Sequence, residues 1–318
     1  PQIIRQAGER QIQFNPIKPE GPFPVVRQKS LGLHAMKMLG FDFDHGRLDI
    51  SAHPFCGGVP EDVRITTRYN EKDFISSLMG VIHETGHARY EQGLPAAWLG
   101  QPAGEARSMG IHESQSLFFE MQLARHPAFL ERLSPLIKQH FGDQPAFDAE
   151  NLIQLYSRVE PGFIRVDADE LTYPAHIILR FEIEQALIEG KIQVHDLPEV
   201  WNNKMQQYLG LSTRGNDAIG CMQDIHWTDG SFGYFPSYTL GALYAAQFAA
   251  AIERDVGNIG ELIASKDGLP QIFNWLKANV WQKASLLSTE ELICQATGES
   301  LNTQFFRHYL EQRYTSSL

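Results

Sequence analysis

His83-Glu84-Thr85-Gly86-His87 is the stretch of this sequence that decides how the rest is interpreted. It lies within residues 71–92, where apolar side chains recur at the spacing of an α-helix. On such a helix the two histidines are one turn apart and point the same way, so two imidazoles can reach one metal ion. Glu84 is rotated off that line and can touch a water molecule on the metal without being a ligand. This is the H-E-x-x-H pattern of zinc hydrolases, although patterns of five residues also arise by chance.

The sequence also marks both ends of this helix. Asn70 is the predicted N-cap, with Asp73 placed to reach back as in a capping box. Gly93 and Pro95 predict the end. Because caps flank the motif, binding of a metal is favoured over the alternative of two ordinary surface or core histidines.

Length and composition indicate a globular protein with a large core. The chain has 318 residues, of which 43% are hydrophobic and 20% are charged, and a formal net charge of -11. This charge argues against a binder of nucleic acid or of anionic membranes, because phosphate contacts require clustered Lys and Arg. The longest apolar run, near residues 240–252, is too short to span a bilayer.

The three cysteines lie far apart and in no paired spacing; they are Cys56, Cys221 and Cys294. This usage predicts free thiols in a reducing compartment, and a cytoplasmic location is the expectation. The sequence begins with Pro1 rather than methionine, so an N-terminal segment can have been removed.

The remaining pattern predicts a mainly helical chain with a minor sheet. Strands at 47–51 and 64–69 are expected to form a hairpin ahead of the metal helix, with the turn-rich residues 53–58 between them. A peptide could pair with the free edge of this hairpin, or the hairpin could be purely structural. Further helices are predicted at 31–39, 111–125, 128–140, 149–159, 174–189, 198–209, 237–254, 270–283, 289–297 and 302–314. Without repeats or hinge-like linkers, residues 1–318 are expected to form one domain.

A third metal ligand has to come from elsewhere, because catalytic zinc usually takes three protein ligands and keeps one position for water. The acidic candidates after His87 are Glu91, Glu105, Glu113 and Glu120. We expect Glu91 to contact a ligand or to be solvated rather than to bind the metal. Glu105 is expected to lie in a flexible stretch, and Glu120 is expected to be beyond reach of the metal. Glu113 begins the next helix, which would return it to the metal if it packs antiparallel. Spacing favours Glu113 only modestly, since a first-turn glutamate can also serve the helix dipole.

Several segments together resemble the Taq-type thermostable metallocarboxypeptidase family. They are His53-Pro54-Phe55, Asp62-Val63-Arg64-Ile65-Thr66, residues 83–87, His112-Glu113-Ser114-Gln115, and residues 164–173, 220–227 and 233–238. The zinc motif alone is shared by many peptidases. The Asp-x-Arg-x-Thr segment and the Gln-Asp-x-His-Trp segment, at 62–66 and 223–227, make the resemblance specific.

The resemblance implies that His83, His87 and Glu113 bind the metal and that Glu84 is the general base. It also implies a mainly α fold, a large helical body with a small β-sheet beside an active-site groove, similar to neurolysin and angiotensin-converting enzymes. Members of this family are typically homodimers. They also carry a helical N-terminal portion that covers the groove, and we expect this catalytic domain, residues 1–318, to lack it.

An oxyanion in a peptide-hydrolysis reaction needs donors other than the metal. The candidates are His226, Tyr234 and Tyr238, which lie in or near the glycine-rich residues 230–241. An aromatic residue in such a stretch often serves packing alone. The resemblance favours Tyr234 and His226.

A substrate carboxylate is held best by a forked guanidinium group. Arg165 is the preferred candidate because it lies in one of the family-like segments, and Arg64 is the second. The alternative for each is a structural ion pair, for Arg64 with Asp62 and for Arg165 with an acid of residues 167–170.

The sequence therefore predicts a metal-dependent carboxypeptidase. It would hydrolyse the C-terminal bond of peptides with a free C-terminus, using a metal-activated water and Glu84 as the base. The expected metal is Zn²⁺, and Co²⁺ or Mn²⁺ would also suit the ligands. The alternatives are an oligopeptidase or endopeptidase with the same metal site, and an inactive dimerising fragment.

Overall fold

The computed structural model describes residues 2–52 and 54–315. Within them the chain forms helices with one small sheet, as the sequence predicts. The α-helices are α1 (Gln2–Gln11), α2 (Val25–Met38), α3 (Phe74–Gly93), α4 (Met109–Leu117), α5 (Pro127–Phe141), α6 (Ala149–Tyr156), α7 (Tyr173–Ile188), α8 (Leu197–Leu209), α9 (Pro236–Asp255), α10 (Ile259–Ala264), α11 (Gly268–Asn279), α12 (Thr289–Thr297) and α13 (Gln304–Thr315). The strands are β1 (Gly46–Ile50), β2 (Phe55–Val59) and β3 (Asp62–Thr67).

The chain divides into two compact units, which are described separately below. The first unit consists of Pro1–Asn15, Ser157–Leu240 and Arg307–Leu318. The second unit consists of Pro16–Tyr156 and Gly241–Phe306. A single domain over the whole sequence stays a prediction.

Helix α3, which carries the H-E-x-x-H motif, lies at the centre of the second unit. Its apolar side packs with α2, β1 and β3 in one buried cluster, formed by Met36, Phe41, Leu48, Val63, Ile65, Val81 and Ala88. The helix begins later than predicted, because Asp73 rather than Asn70 is the N-cap and accepts hydrogen bonds from the N–H groups of Ile75 and Ser76. The Asn70 side chain instead accepts from the N–H of Lys72. Asp73 directly precedes Phe74, the first residue of the helix, so its side chain is the one placed to cap it.

The sheet differs from the predicted hairpin of two strands. β3 is the central strand, paired parallel with β1 and antiparallel with β2. The hairpin is therefore β2–β3, and β2 occupies the residues predicted to be a turn-rich link. Gly57 and Gly58 suggested a turn, but they lie within the extended strand, where Gly58 has a φ of +104°. His53, at the start of one family-like segment, lies outside the described residues.

The predicted helix 111–125 is two elements in sequence. α4 ends at Leu117 and continues directly as a π-helical segment, Phe118–Ala124. A π-helical turn holds more residues than an α-helical turn, so it changes the direction in which the following side chains point. The N-cap of α4 is Ser108, whose hydroxyl accepts from the N–H of Ile111.

The other predicted helices are present; most differ by one or two residues at their ends, but α2 begins at Val25, well before the predicted start at residue 31. The predicted capping box of Ser288 and Glu291 at the start of α12 is confirmed. Helix α10 was not predicted, and α6 ends three residues earlier than the predicted 149–159. No helix in the described part of the chain combines the length and the apolar character needed to cross a membrane.

In the first unit, α7 and α8 pack through a second apolar cluster. It consists of Leu179, Ile183, Trp201, Met205 and Leu209. The carboxylate of Glu184 on α7 accepts hydrogen bonds from the indole of Trp227 and the N–H of Gly233. Glu184 thereby holds two points of the segment that precedes α9.

Candidate active site

His83, His87 and Glu113 converge in the second unit. One ligand atom from each of the three side chains lies within 4.8 Å of the others. The Nε2 atom of His83 is 3.8 Å from one carboxylate oxygen of Glu113, and the Nε2 atom of His87 is 3.5 Å from the other. We call these three residues with Glu84 the metal cluster.

Antiparallel packing of α3 and α4 produces this convergence. His112 of α4 contacts Glu91, whereas Glu120, just beyond α4, contacts His83. The two helical segments therefore run in opposite directions. The helices can approach closely because Gly86, inside the motif, has no side chain. A Cβ atom there would lie 2.5 Å from the carbonyl oxygen of Gln115. The antiparallel return of Glu113 that the sequence suggested is therefore present.

The donor set fits a small divalent cation. Two imidazole nitrogens and a carboxylate are ligands that zinc prefers. Ligands at about 2.1 Å in a tetrahedron are separated by roughly 3.4 Å. The two separations between a histidine and Glu113, 3.5 and 3.8 Å, are near that value.

The electrostatics of the metal cluster also favour a cation. Burial disfavours the charged form of His83, but its hydrogen bond to Glu120 and the charge of Glu113 outweigh burial and raise its pKa to about 10. The carboxylates of Glu113 and Glu120 thus stabilise positive charge at His83. Burial dominates at His87 and lowers its pKa to about 4. Burial also raises the pKa of Glu84, which is 8% exposed.

Glu120, which the sequence predicts to be beyond reach of the metal, contacts the predicted metal ligand His83. Its Oε2 atom is 2.9 Å from the Nδ1 atom of His83, and its Oε1 atom accepts from Nη2 of Arg125 at 2.8 Å. Burial alone would raise the pKa of Glu120, but His83 and Arg125 lower it to about 2. Glu120 lies in the π-helical segment, which the sequence pattern did not reveal.

His112 and Gly241 are two further residues whose roles the sequence did not reveal. The Nδ1 atom of His112 is 2.7 Å from Nδ1 of His87, and its Nε2 atom is 2.8 Å from a carboxylate oxygen of Glu91. Glu91 therefore contacts His112 rather than a predicted ligand, and it is linked to His87 only through this second histidine. Gly241 on α9 lies against Glu113, where a Cβ atom would be 2.6 Å from Cγ of the glutamate.

Arg165 belongs to a second polar group, in the first unit. Its Nε and Nη2 atoms both donate to one carboxylate oxygen of Asp224, at 2.9 and 2.8 Å, and its Nη1 atom donates to the hydroxyl of Tyr173. Arg180, which is fully buried, donates from Nε to the other oxygen of Asp224 at 2.7 Å. The partner of Arg165 is thus Asp224 and not an acid of residues 167–170.

The oxyanion candidates lie in the same group. Nε2 of His226 is 3.0 Å from the hydroxyl of Tyr238, and Tyr234 packs on both rings, at 5.7 and 5.4 Å between centroids. The guanidinium of Arg165 lies over the ring of Tyr238 at 4.9 Å. We call the set Arg165, Tyr173, Arg180, Asp224, His226 and Tyr238 the guanidinium cluster. Its two cations face one carboxylate, which leaves an excess of positive charge.

Arg64 lies in β3, and the structure shows the ion pair that was its alternative role. Its Nη2 atom is 2.7 Å from a carboxylate oxygen of Asp62, and both side chains are about half exposed. Glu170 of the 164–173 segment accepts hydrogen bonds from Tyr309 and Tyr314 in α13. A role of Arg64 in holding substrate stays a prediction.

Known proteins match nearly the whole length of this chain. The family described as "Carboxypeptidase Taq (M32) metallopeptidase" matches residues 1–314. The chain belongs to this family. Carboxypeptidase 1 of Bacillus subtilis is 42% identical over 302 residues, which are 92% of this chain and 59% of that protein. Thermostable carboxypeptidase 1 of Thermus thermophilus is 41% identical over 296 residues, 93% of this chain and 58% of that protein. The chain thus spans less than two thirds of these relatives.

Solved structures of this metallopeptidase family agree with the fold. The structure of Trypanosoma cruzi metallocarboxypeptidase 1 superposes with a TM-score of 0.97 at 50% identity, covering 99% of this chain and 66% of that chain. PZ peptidase A superposes with a TM-score of 0.63 at only 14% identity, which is a likeness in fold alone. The predicted fold class and family are confirmed.

Proposed function

We propose that this chain is the catalytic part of a metal-dependent carboxypeptidase. The observation that carries the proposal is the convergence of His83, His87 and Glu113, with the buried carboxylate of Glu84 on the same helix, in a chain of the M32 family. His83, His87 and Glu113 would hold one divalent ion, and Zn²⁺ is the ion that best suits two imidazoles and a carboxylate. The ion would supply Lewis acidity that activates water and polarises a carbonyl group.

Glu84 has the properties of a general base. Burial raises its pKa above the ordinary value of a glutamate, which brings it closer to neutral pH, where proton transfer in both directions is efficient. In this mechanism Glu84 takes a proton from the attacking water and passes it to the leaving amine. His226 and Tyr234 would donate hydrogen bonds to the oxyanion, and Tyr238 would orient His226 through the bond between them.

Arg165 would hold the terminal carboxylate of the substrate. Its guanidinium is already bonded to Asp224 and Tyr173, so its position is fixed before a substrate arrives. The nearby Arg180 shares the same carboxylate, and the excess positive charge favours an anion. Arg64 is the second candidate for this role. A homodimer and a cytoplasmic location remain predictions.

The test uses the metal-loaded chain and two forms of one short peptide, with a free or an amidated C-terminus. Products are identified by mass. We expect loss of single residues from the free form only, and none with Glu84→Gln. Internal cleavage of both forms would instead indicate an endopeptidase or oligopeptidase. No cleavage of either form, with the metal bound, would contradict the proposal and support a scaffold.

A further inference from the structure

A second layer of polar side chains lies behind the two histidines of the metal cluster. We propose that Glu120 and His112 are positioning residues that fix the tautomers of His83 and His87, so that both Nε2 lone pairs face the metal. This inference rests on the proposed metal centre and assigns roles to two residues outside the H-E-x-x-H motif. The hydrogen-bond geometry determines the direction of each bond.

The first arm supports His83. A carboxylate can only accept hydrogen bonds, so in the 2.9 Å contact with Glu120 the hydrogen lies on Nδ1 of His83. The Nε2 atom of the neutral ring then carries the lone pair, and it is this atom that lies 3.8 Å from Glu113. Arg125 holds the other oxygen of Glu120 at 2.8 Å, which prevents the carboxylate from turning away.

The second arm supports His87 and contains one more member. His112 and His87 approach through their Nδ1 atoms at 2.7 Å, so one ring must donate and the other must accept. The Nε2 atom of His112 is 2.8 Å from the carboxylate of Glu91, so that nitrogen carries the hydrogen and Nδ1 of the neutral ring accepts. His87 therefore donates from Nδ1, and its Nε2 lone pair faces Glu113 at 3.5 Å.

The two arms thus use different acceptors for the same purpose. Glu120 is a charged acceptor in direct contact with His83, whereas His112 is a neutral acceptor whose state depends on Glu91. A charged acceptor makes the stronger hydrogen bond and makes the metal-binding nitrogen more basic. We expect Glu120 to contribute more to metal affinity than His112 does.

The experiment measures the Zn²⁺ dissociation constant by competition with a chromophoric chelator. The absorption spectrum of the Co²⁺ form reports ligand geometry, and thermal unfolding of the metal-free form reports folding. Glu120→Ala and His112→Phe remove one acceptor each, and we expect affinity to fall by about 10- to 100-fold, more for Glu120→Ala. Glu120→Gln and His112→Asn keep a neutral acceptor and should lose roughly tenfold or less.

One exposed histidine and one exposed glutamate provide matched controls. His45→Phe removes a histidine that pairs with Asp42 on the surface of the same unit, and Glu131→Ala removes an exposed glutamate of α5. Both should bind Zn²⁺ as tightly as the unmodified chain. Metal affinity unchanged in Glu120→Ala and His112→Phe would overturn the proposal.

Two further outcomes are separable. If the unmodified chain binds no metal, the proposed function and the positioning roles that depend on it are both overturned, whereas metal binding that the substitutions leave unchanged overturns the positioning roles alone. If His112→Phe does not fold, Glu91→Ala tests the second arm instead, because Glu91 is the residue that holds His112. It should weaken affinity in the same direction, and an unchanged affinity would contradict the role of His112.

Discussion

The metal cluster and the guanidinium cluster are two buried polar groups of opposite electrical character. In the first, burial disfavours the charged form of His83, but its hydrogen bond to the adjacent Glu120 and the charge of Glu113 outweigh burial and raise its pKa to about 10. In the second, Arg165 and Arg180 share the single carboxylate of Asp224. The first group has the charge that suits a cation, and the second has the charge that suits an anion. The comparison is consistent with the proposed roles of the two clusters, one in holding a metal ion and the other in holding a substrate carboxylate.

The two clusters also differ in how the chain builds them. The metal cluster comes from two neighbouring helical segments, residues 83–91 and 112–125, so helical spacing determines most of its geometry. The guanidinium cluster draws on a short turn at Arg165–Asp167, on α7, on the loop before α9 and on the start of α9. Its geometry depends on long-range hydrogen bonds, such as those of Gln223 with the backbone of Phe163 and Arg165.

The largest effect is expected in the metal cluster. Glu84→Gln removes the proposed base while keeping its size, and kcat should fall by about 10²- to 10⁴-fold. The change replaces a buried acid with a neutral amide, so folding should be retained. We would measure kcat on a peptide with a free C-terminus and, in the same samples, the number of metal ions bound per chain. Substantial activity with full metal content would exclude Glu84 as the base.

A comparable substitution in the guanidinium cluster should affect stability. Asp224→Asn leaves two buried guanidinium groups without their counter-charge, and the free energy of unfolding should fall by about 3–5 kcal/mol. The matched control is Asp62→Asn, which breaks the half-exposed pair with Arg64 and should change stability far less, because solvent screens this pair. Urea denaturation measures both. Equal losses in the two variants would show that Asp224 is not the carboxylate on which the cluster depends.

Acid should weaken the guanidinium cluster through His176. This residue of α7 is fully buried, and burial, with Arg180 and Arg165, lowers its pKa from 6.5 to about 4. Between these values the unfolded chain binds the proton and the folded chain does not, so stability falls as pH decreases from 6.5 to 4. The contribution reaches about 3 kcal/mol at 1.36 kcal/mol per pKa unit. Nearby Asp224 has a lowered pKa and keeps its charge over most of this range.

The measurement compares the unfolding free energy of the unmodified chain and of His176→Asn from pH 7 to pH 4. The variant lacks the titrating group, so its stability should decrease less steeply. Parallel curves would contradict the assignment. The metal-free chain is used for both, since metal binding has its own pH dependence.

The comparison also indicates what the sequence could predict. The spacing of His83 and His87 is local, so a helix and a motif were sufficient to predict their convergence. Glu113 needed one further assumption, the antiparallel return of α4, and the structure supports it. The contact of Glu120 with the Nδ1 atom of His83 was not predicted, because a π-helical segment, which has no simple sequence pattern, follows α4 directly.

Partners distant in sequence were harder to predict. The structural alternative for Arg165 was an ion pair with a nearby acid, but its partner Asp224 lies 59 positions away in another segment, where only the resemblance marked it. Strand β2 was missed because its glycine pair reads as a turn, and only pairing with β3 makes it a strand. In both cases tertiary contacts outweigh local preference.

The smallest expected effect concerns packing behind the metal cluster. Gly241 and Gly80 are both glycines inside helices, where replacement by alanine ordinarily stabilises by up to about 1 kcal/mol. At Gly80 the added methyl meets nothing within 4 Å, so Gly80→Ala should be neutral or stabilising. At Gly241 it would lie 2.6 Å from Cγ and 3.0 Å from the backbone carbon of Glu113. Gly241→Ala should therefore cost about 1–3 kcal/mol and displace Glu113. Thermal unfolding and Zn²⁺ titration measure both effects, and an unchanged affinity would mean that Glu113 can move without leaving the metal.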